Sequence, residues 1–241
     1  MVLGVVRSSV IYNDRQIYFG IEYRNRKTMA IHISGPDKVL VLSPTGIPED
    51  IIRERVKSKG RWILKKLSQL RDTSLENFRR DFKEGETFLF LGNNYNLEII
   101  KNRRKIPKVF FREGKFYLET GIFDPVKMRK AMEKWYRKKA DRIINDRVGL
   151  YIEKIGKRPQ DVKVKEQKRR WGSCTAKSKL YFNWRIIMAP GGIIDYVVVH
   201  EMSHLVHANH SKKFWQKVES VLPDYKKRRK WLKDNGIKLD L

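Results

Sequence analysis

The sequence is short of several things, and each shortage excludes a class of protein. It has one cysteine, Cys174, in 241 residues. No intrachain disulfide framework can hold such a chain, and the compartment expected for it is a reducing one, the cytoplasm. No apolar run approaches the ~18 residues that cross a bilayer. The opening Met-Val-Leu-Gly-Val-Val is too short for a signal-peptide core, so no membrane partner is expected. Internal sequence repeats and low-complexity tracts are missing as well. Acidic residues are scarce, with 27 Asp+Glu against 54 Lys+Arg and a formal charge of +27. Wholesale disorder is nevertheless excluded, because 41% of the residues are hydrophobic and 11% aromatic, enough for a packed core.

The surplus of cations suggests affinity for polyanions, since a basic surface gains binding energy by releasing counterions from phosphates. A weak association with nucleic acid or nucleotide is therefore one expected partner class. The cations are spread along the chain, densest at Lys101 to Lys108, Lys163 to Arg170 and Lys226 to Lys230. A solvated basic surface with no anionic partner explains that spread equally well.

The patterning describes an α+β protein. Gln16 to Arg24, Thr28 to Ser34 and Lys38 to Ser43 are β-branched and aromatic runs around a Gly35-Pro36-Asp37 turn, which predicts a meander of about three strands. Ile51, Ile52, Val56, Trp62, Ile63, Leu67 and Leu70 then recur at helical spacing, one amphipathic helix weakened in the middle by Gly60. Strand-like runs return at Thr87 to Leu91, Tyr95 to Ile100, Lys108 to Phe111 and Lys115 to Glu119, with hairpin turns at Gly92-Asn93-Asn94 and Glu113-Gly114. From Pro125 to about Ile155 the period is again helical. These signals predict a β-rich N-terminal module with one amphipathic helix over 1–124 and a second domain over 125–241. In the latter, Val162 to Lys165 and Leu180 to Trp184 read as strands, followed by helices from about Ile193, near Ser211 to Val221 and near Asp224 to Asp234.

Four of the five histidines fall in the eleven residues His200 to His210, which contain His200-Glu201-Met202-Ser203-His204. Residues four apart share a helix face, so His200 and His204 can present imidazole nitrogens to one Zn²⁺ at ~2.0–2.1 Å. Glu201 then sits beside the metal without ligating it, placed to take a proton from water. Ile194, Val197, Val198, Met202 and Leu205 supply an apolar back face to this helix. From Ile186 through Ser211, 26 residues contain no Lys or Arg, where the chain's average density would place about six. A third protein ligand is needed. His210 is the first candidate if the helix ends near Ala208-Asn209 and the chain turns back; His207 and Glu219 compete with it. His207, off the His200–His204 line, suits a supporting or substrate-facing role better than ligation.

Arg170-Trp171-Gly172-Ser173-Cys174, Phe182-Asn183-Trp184-Arg185, Asp195 through Glu201, and Asn209-His210-Ser211 with Phe214-Trp215 closely resemble the YgjP-like metallopeptidase family, and more distantly the SprT-like and WLM zinc proteases. The resemblance spans about Val162 to Leu232 and is looser in the front half. It implies a gluzincin-like, zincin-type minimal metallopeptidase fold for 125–241, with an active-site helix packed on a small sheet whose edge strand borders the cleft. It further implies one zinc ion per chain on His200, His204 and His210, with Glu201 catalytic.

The remaining matched residues have physical readings of their own. Arg170 can orient a substrate carbonyl or phosphate, or pair with an interior carboxylate. Asn183 is a candidate to hydrogen-bond the second nitrogen of a ligand histidine. Tyr225 or His207 can stabilise an oxyanion. Trp184, Phe214 and Trp215 read as core, and Cys174 as an inert buried thiol. The leading function is hydrolysis of a peptide or protein substrate, with the strand Leu180 to Trp184 holding the extended chain by strand addition. One alternative is hydrolysis of a nucleotide phosphoanhydride, with Lys168, Arg169 and Arg170 neutralising phosphate. The other is a nucleic-acid-associated protease tethered by its basic surface.

Overall fold

The computed structural model describes residues 5–35, 37–77, 80–167 and 170–241. The chain divides into two compact units, Met1–Arg79 and Arg80–Leu241. In the first, the left-handed Asn13 (φ 47°) and Asp14 (φ 58°) form the two-residue turn that joins β1 (Val6–Tyr12) to β2 (Arg15–Arg24). With β3 (Ala30–Gly35) and β4 (Lys38–Pro44) they make a four-stranded sheet of order β1-β2-β4-β3, in which β2 and β4 run parallel. The expected three-strand meander is thus a four-stranded sheet with a crossover, because β1, which has no clean apolar alternation, takes the edge. Ile17, Phe19 and Ile21 of β2 and Val39 and Val41 of β4 pack under Ile52, Val56 and Ile63. Those last three come from two helices, α1 (Glu49–Ser58) and α2 (Gly60–Asn77), where one was expected. The helical pattern breaks at Lys59, and a Cβ on Gly60 would fall inside the Tyr12 ring, so the backbone comes that close only as glycine.

The second unit begins 45 residues before the expected boundary at 124/125. Its first sheet comprises β5 (Thr87–Phe90), β6 (Asn93–Lys101), β7 (Lys108–Arg112) and β8 (Lys115–Thr120), in the order β5-β6-β8-β7 with β6 and β8 parallel. Phe88, Phe90, Leu97, Phe116 and Leu118 of this sheet share one core with Met132, Trp135 and Tyr136 of α3 (Pro125–Ile155). Burying that aromatic surface against α3, rather than exposing it at a domain edge, is what moves the boundary. Helix α3 starts where expected, with the Asp124 carboxylate accepting from the amides of Val126 and Lys127, and stops at left-handed Gly156.

Three short strands follow: β9 (Asp161–Lys165), β10 (Gly172–Cys174) and β11 (Lys179–Asn183), ordered β10-β11-β9. A 3-10 turn over Trp184–Met188 leads to α4 (Gly191–Ser203), then α5 (Lys212–Val221) and α6 (Tyr225–Asn235). The fold is α+β. The β5–β6 turn fastens the start of α4. Leu91 and Gly92 donate their amides to the carbonyls of Ile187 and Met188, and Gly92 lies so close to Pro190 that a Cβ would come within 3.0 Å of it.

Candidate metal centre

Helix α4 is apolar nearly all round: Ile194, Val197, Val198, Val199 and Met202 are buried in the core. No cation arises from its own sequence, and packing brings cations to it from elsewhere. Asp195 pairs with Arg147 of α3 and, at 4.0 Å, with Arg228 of α6. Lys157 donates from Nζ to the carbonyl of Leu205, just past the helix end.

That end comes earlier than expected. The helix stops at Ser203 with His204 as its cap, still in right-handed helical conformation, rather than at Ala208-Asn209. Leu205 and Val206 turn tightly, donating to the carbonyls of Met202 and Ser203, and His207 also donates to Ser203. Because His204 keeps helical dihedrals, the four-residue spacing still places its ring beside that of His200. The tight turn then returns the chain, so that His210 closes the group from outside the helix.

One ring nitrogen from each of His200, His204 and His210 lies within 4.8 Å of the others. The Nε2 atoms of His200 and His210 are 3.0 Å apart. Ligand nitrogens at ~2.0–2.1 Å from a tetrahedral ion stand about 3.3 Å from one another, so the three rings suit one small cation. The ring chemistry points the same way: two neutral imidazole lone pairs face to face repel unless a proton or a metal lies between them. Phe214 backs all three rings, with centroids 4.5–5.0 Å away, and Trp215 stacks on His210 at 5.6 Å. Burial holds the His200 imidazole down to about 3, with the charges of His204, His210 and Arg229 acting in the same direction. Burial lowers His204 too, partly opposed by its hydrogen bond to the backbone of His207. Neutral imidazole is the form that binds metal.

Glu201 is 7% exposed and faces the same cleft, a cavity of about 850 Å³ that also receives Arg170, Cys174 and Tyr196. Burial pushes its carboxyl up to about 8, and the Arg170 guanidinium pulls it down. A Cβ on Gly172 of β10 would lie 2.5–2.9 Å from the Glu201 side chain. The missing side chain of β10 is thus the space the carboxylate occupies. Burial raises the Cys174 thiol, and the neighbouring Glu201 raises it further, the state of an unreactive cysteine.

The other candidate residues are placed differently from one another. Arg170 lines the cleft, whereas Lys168 and Arg169 lie outside the described residues. Asn183 meets no histidine: its amide donates to the Gln167 carbonyl and accepts from the Arg185 amide, fixing the start of the 3-10 turn. His207 contributes its backbone carbonyl, 3.2 Å from His204 Nδ1, and so does for His204 what Asn183 was expected to do. Tyr225 is buried and stacks at 5.4 Å on Trp215, which in turn stacks on His210. Trp184 and Phe214 are fully buried. The strand expected to hold substrate, β11, is the middle strand of its sheet; the open edge at the cleft belongs to β10. Gly172 and Tyr196 lie in the motifs quoted above, but the sequence assigns neither a role at the site. The second has a helical signal, since it lies one turn before His200 and its ring meets that imidazole edge to face at 5.9 Å.

No curated protein matches the chain. Among solved structures, the crystal structure of the metallopeptidase zymogen of Pyrococcus abyssi abylysin matches with a TM-score of 0.35 and 21% sequence identity. That match covers 37% of this chain and 93% of the other, too slight a likeness to bear on the fold. The model of the YgjP-like family, metallopeptidase domain, matches residues 27–235, and the chain belongs to that family.

Proposed function

We propose that the protein is a zinc-dependent peptidase in which His200, His204 and His210 hold the ion and Glu201 is the general base. The observation that carries this reading is the convergence of three imidazoles beside a buried carboxylate at one cleft. Bound zinc supplies Lewis acidity, which acidifies water and polarises a carbonyl. The chain's own residues do the rest. Glu201 takes a proton from the attacking water on a carboxylate oxygen and delivers it to the departing amine. Its burial favours the protonated form it must adopt midway, and Arg170 favours the ionised form it must start from. The free edge of β10 offers backbone groups to an extended peptide, which would lie beside Glu201. Cleavage of casein or a peptide should stop with a chelator and with Glu201→Gln, while that variant keeps about one zinc per chain. Activity surviving both treatments would falsify the reading.

A nucleic-acid tether is a second reading, favoured by one feature of α3. Lys130, Lys134 and Lys138 stand one turn apart, exposed and without a partner among the described residues. Like charges at this spacing repel by ~0.2–0.5 kcal/mol per pair. They also occupy the half of α3 nearer its N-terminus, toward the positive pole of the helix dipole. A phosphate backbone along that ridge relieves the repulsion.

A further inference from the structure

Arg170 stands at the cleft, where its charge acts on Glu201 without a hydrogen bond or ion pair between them. It is exposed, and no hydrogen bond or ion pair engages it among the described residues. Several arginines of the same unit that pack against its core are engaged by carboxylates: Arg137 and Arg185 by Glu166, Arg147 by Asp195, Arg228 by Asp224. This happens although the unit from residue 80 onward has only 19 Asp and Glu for 39 Lys and Arg. Arg170 differs from these in lining the cleft with its guanidinium open to an incoming group.

Its surroundings favour an anion. Among the described residues the cleft wall carries two cations, Arg170 and Lys157, and a single carboxylate, Glu201, the proposed general base. Lys157 is held in place by the Leu205 carbonyl. Arg170 precedes the first residue of β10 by two positions, so a peptide paired to that edge passes Arg170 with its side chains still in register with the strand. The planar guanidinium fork matches a carboxylate in two parallel hydrogen bonds, an interaction that a neutral amide of the same shape cannot reproduce.

We infer that Arg170 selects the substrate: the enzyme cleaves peptides that carry an Asp or Glu side chain close to the scissile bond, and Arg170 receives that carboxylate. The inference rests on the peptidase reading. Its test compares matched fluorogenic peptides that differ only in Asp or Glu, Asn or Gln, or Lys at each position flanking the cleavable bond, using the zinc-loaded full chain. Wild type should favour acidic peptides over their amide counterparts at least tenfold in kcat/KM. Arg170→Glu should invert the order and favour Lys, and Arg170→Lys should keep a reduced acidic preference. The readout is a ratio within one enzyme form, so any effect of Arg170 on Glu201 cancels. Should Arg170→Glu fail to fold or load zinc, Arg170→Gln is expected to bring the acidic-to-amide ratio close to one.

Chelator-sensitive cleavage without acidic preference, or an unchanged ratio in the Arg170 variants, overturns the inference and leaves the peptidase reading standing. Absence of chelator-sensitive cleavage of any peptide, or turnover of nucleoside triphosphates in its place, overturns both.

Discussion

A methyl group on Gly172 has nowhere to go except into Glu201. The Gly172 backbone lies in a strand, where alanine is tolerated, so the carboxylate is what must move. Gly172→Ala should therefore lower kcat by about 10²-fold or more, the usual worth of a positioned general base. Its zinc content, measured by mass spectrometry, should stay near one per chain. An unchanged kcat would mean that Glu201 can shift without chemical consequence. The histidine cluster and this contact differ in how far they could be read in advance. His200, Glu201 and His204 are legible because a four-residue step needs nothing but helix geometry. Gly172 and Glu201 are 29 residues apart and meet through the packing of a strand on a helix, which leaves no periodic trace. The His207 contact escapes for another reason: it is made by a backbone carbonyl, which every residue has.

Between elements, Glu166 is the principal joint of the second unit. It follows β9 and accepts from Trp184 Nε1 at 2.9 Å, Arg185 Nη1 at 2.5 Å and Arg137 Nη2 at 2.9 Å, while Arg185 also holds Asp240 near the C-terminus. Burial pushes the carboxyl up, but the bonds from Trp184 and Arg185, with the charges of Arg185 and Arg137, outweigh it and hold it below the ordinary range. A carboxylate lowered on folding stabilises above its unfolded value of about 4.3, and that contribution fades as pH falls through the folded value. Glu166→Gln should cost about 1 kcal/mol at pH 7, a figure discounted because the side chain is 39% exposed. In urea unfolding the difference from wild type should shrink at pH 3; a difference independent of pH would show that the charge is not what stabilises. Long, strongly periodic elements such as α3 were legible to within a residue. The three-residue β10 was not, because it is too short to alternate. Nor was the shared order of the two four-stranded sheets, β1-β2-β4-β3 and β5-β6-β8-β7, each with a parallel central pair. The order within a sheet is set by long-range pairing, so two sheets can share it without sharing sequence.

At the scale of the molecule, the +27 is unevenly divided, with a surplus of 20 cations from residue 80 onward. If the α3 ridge tethers nucleic acid, the logarithm of the affinity for duplex DNA should fall with the logarithm of salt, each phosphate contact adding a slope of about 0.9. Replacing Lys130, Lys134 and Lys138 together by Glu should then reduce that slope by about 2 to 3; an unchanged slope removes the tether. No helix among the described residues is long and apolar enough to cross a membrane. The sequence by itself determined the histidine pair on one helix face with its neighbouring glutamate, the helix that carries them and the balance of charge, because these depend on residue type and on spacings of one or two turns. Tertiary structure alone decided that β5–β8 belong with the histidine cluster, that β10 and not β11 has the open edge, and that Arg170 faces the cleft beside Glu201. Each of those outcomes depends on which distant surfaces bury one another, and burial is a property of the packed chain rather than of any local run of residues.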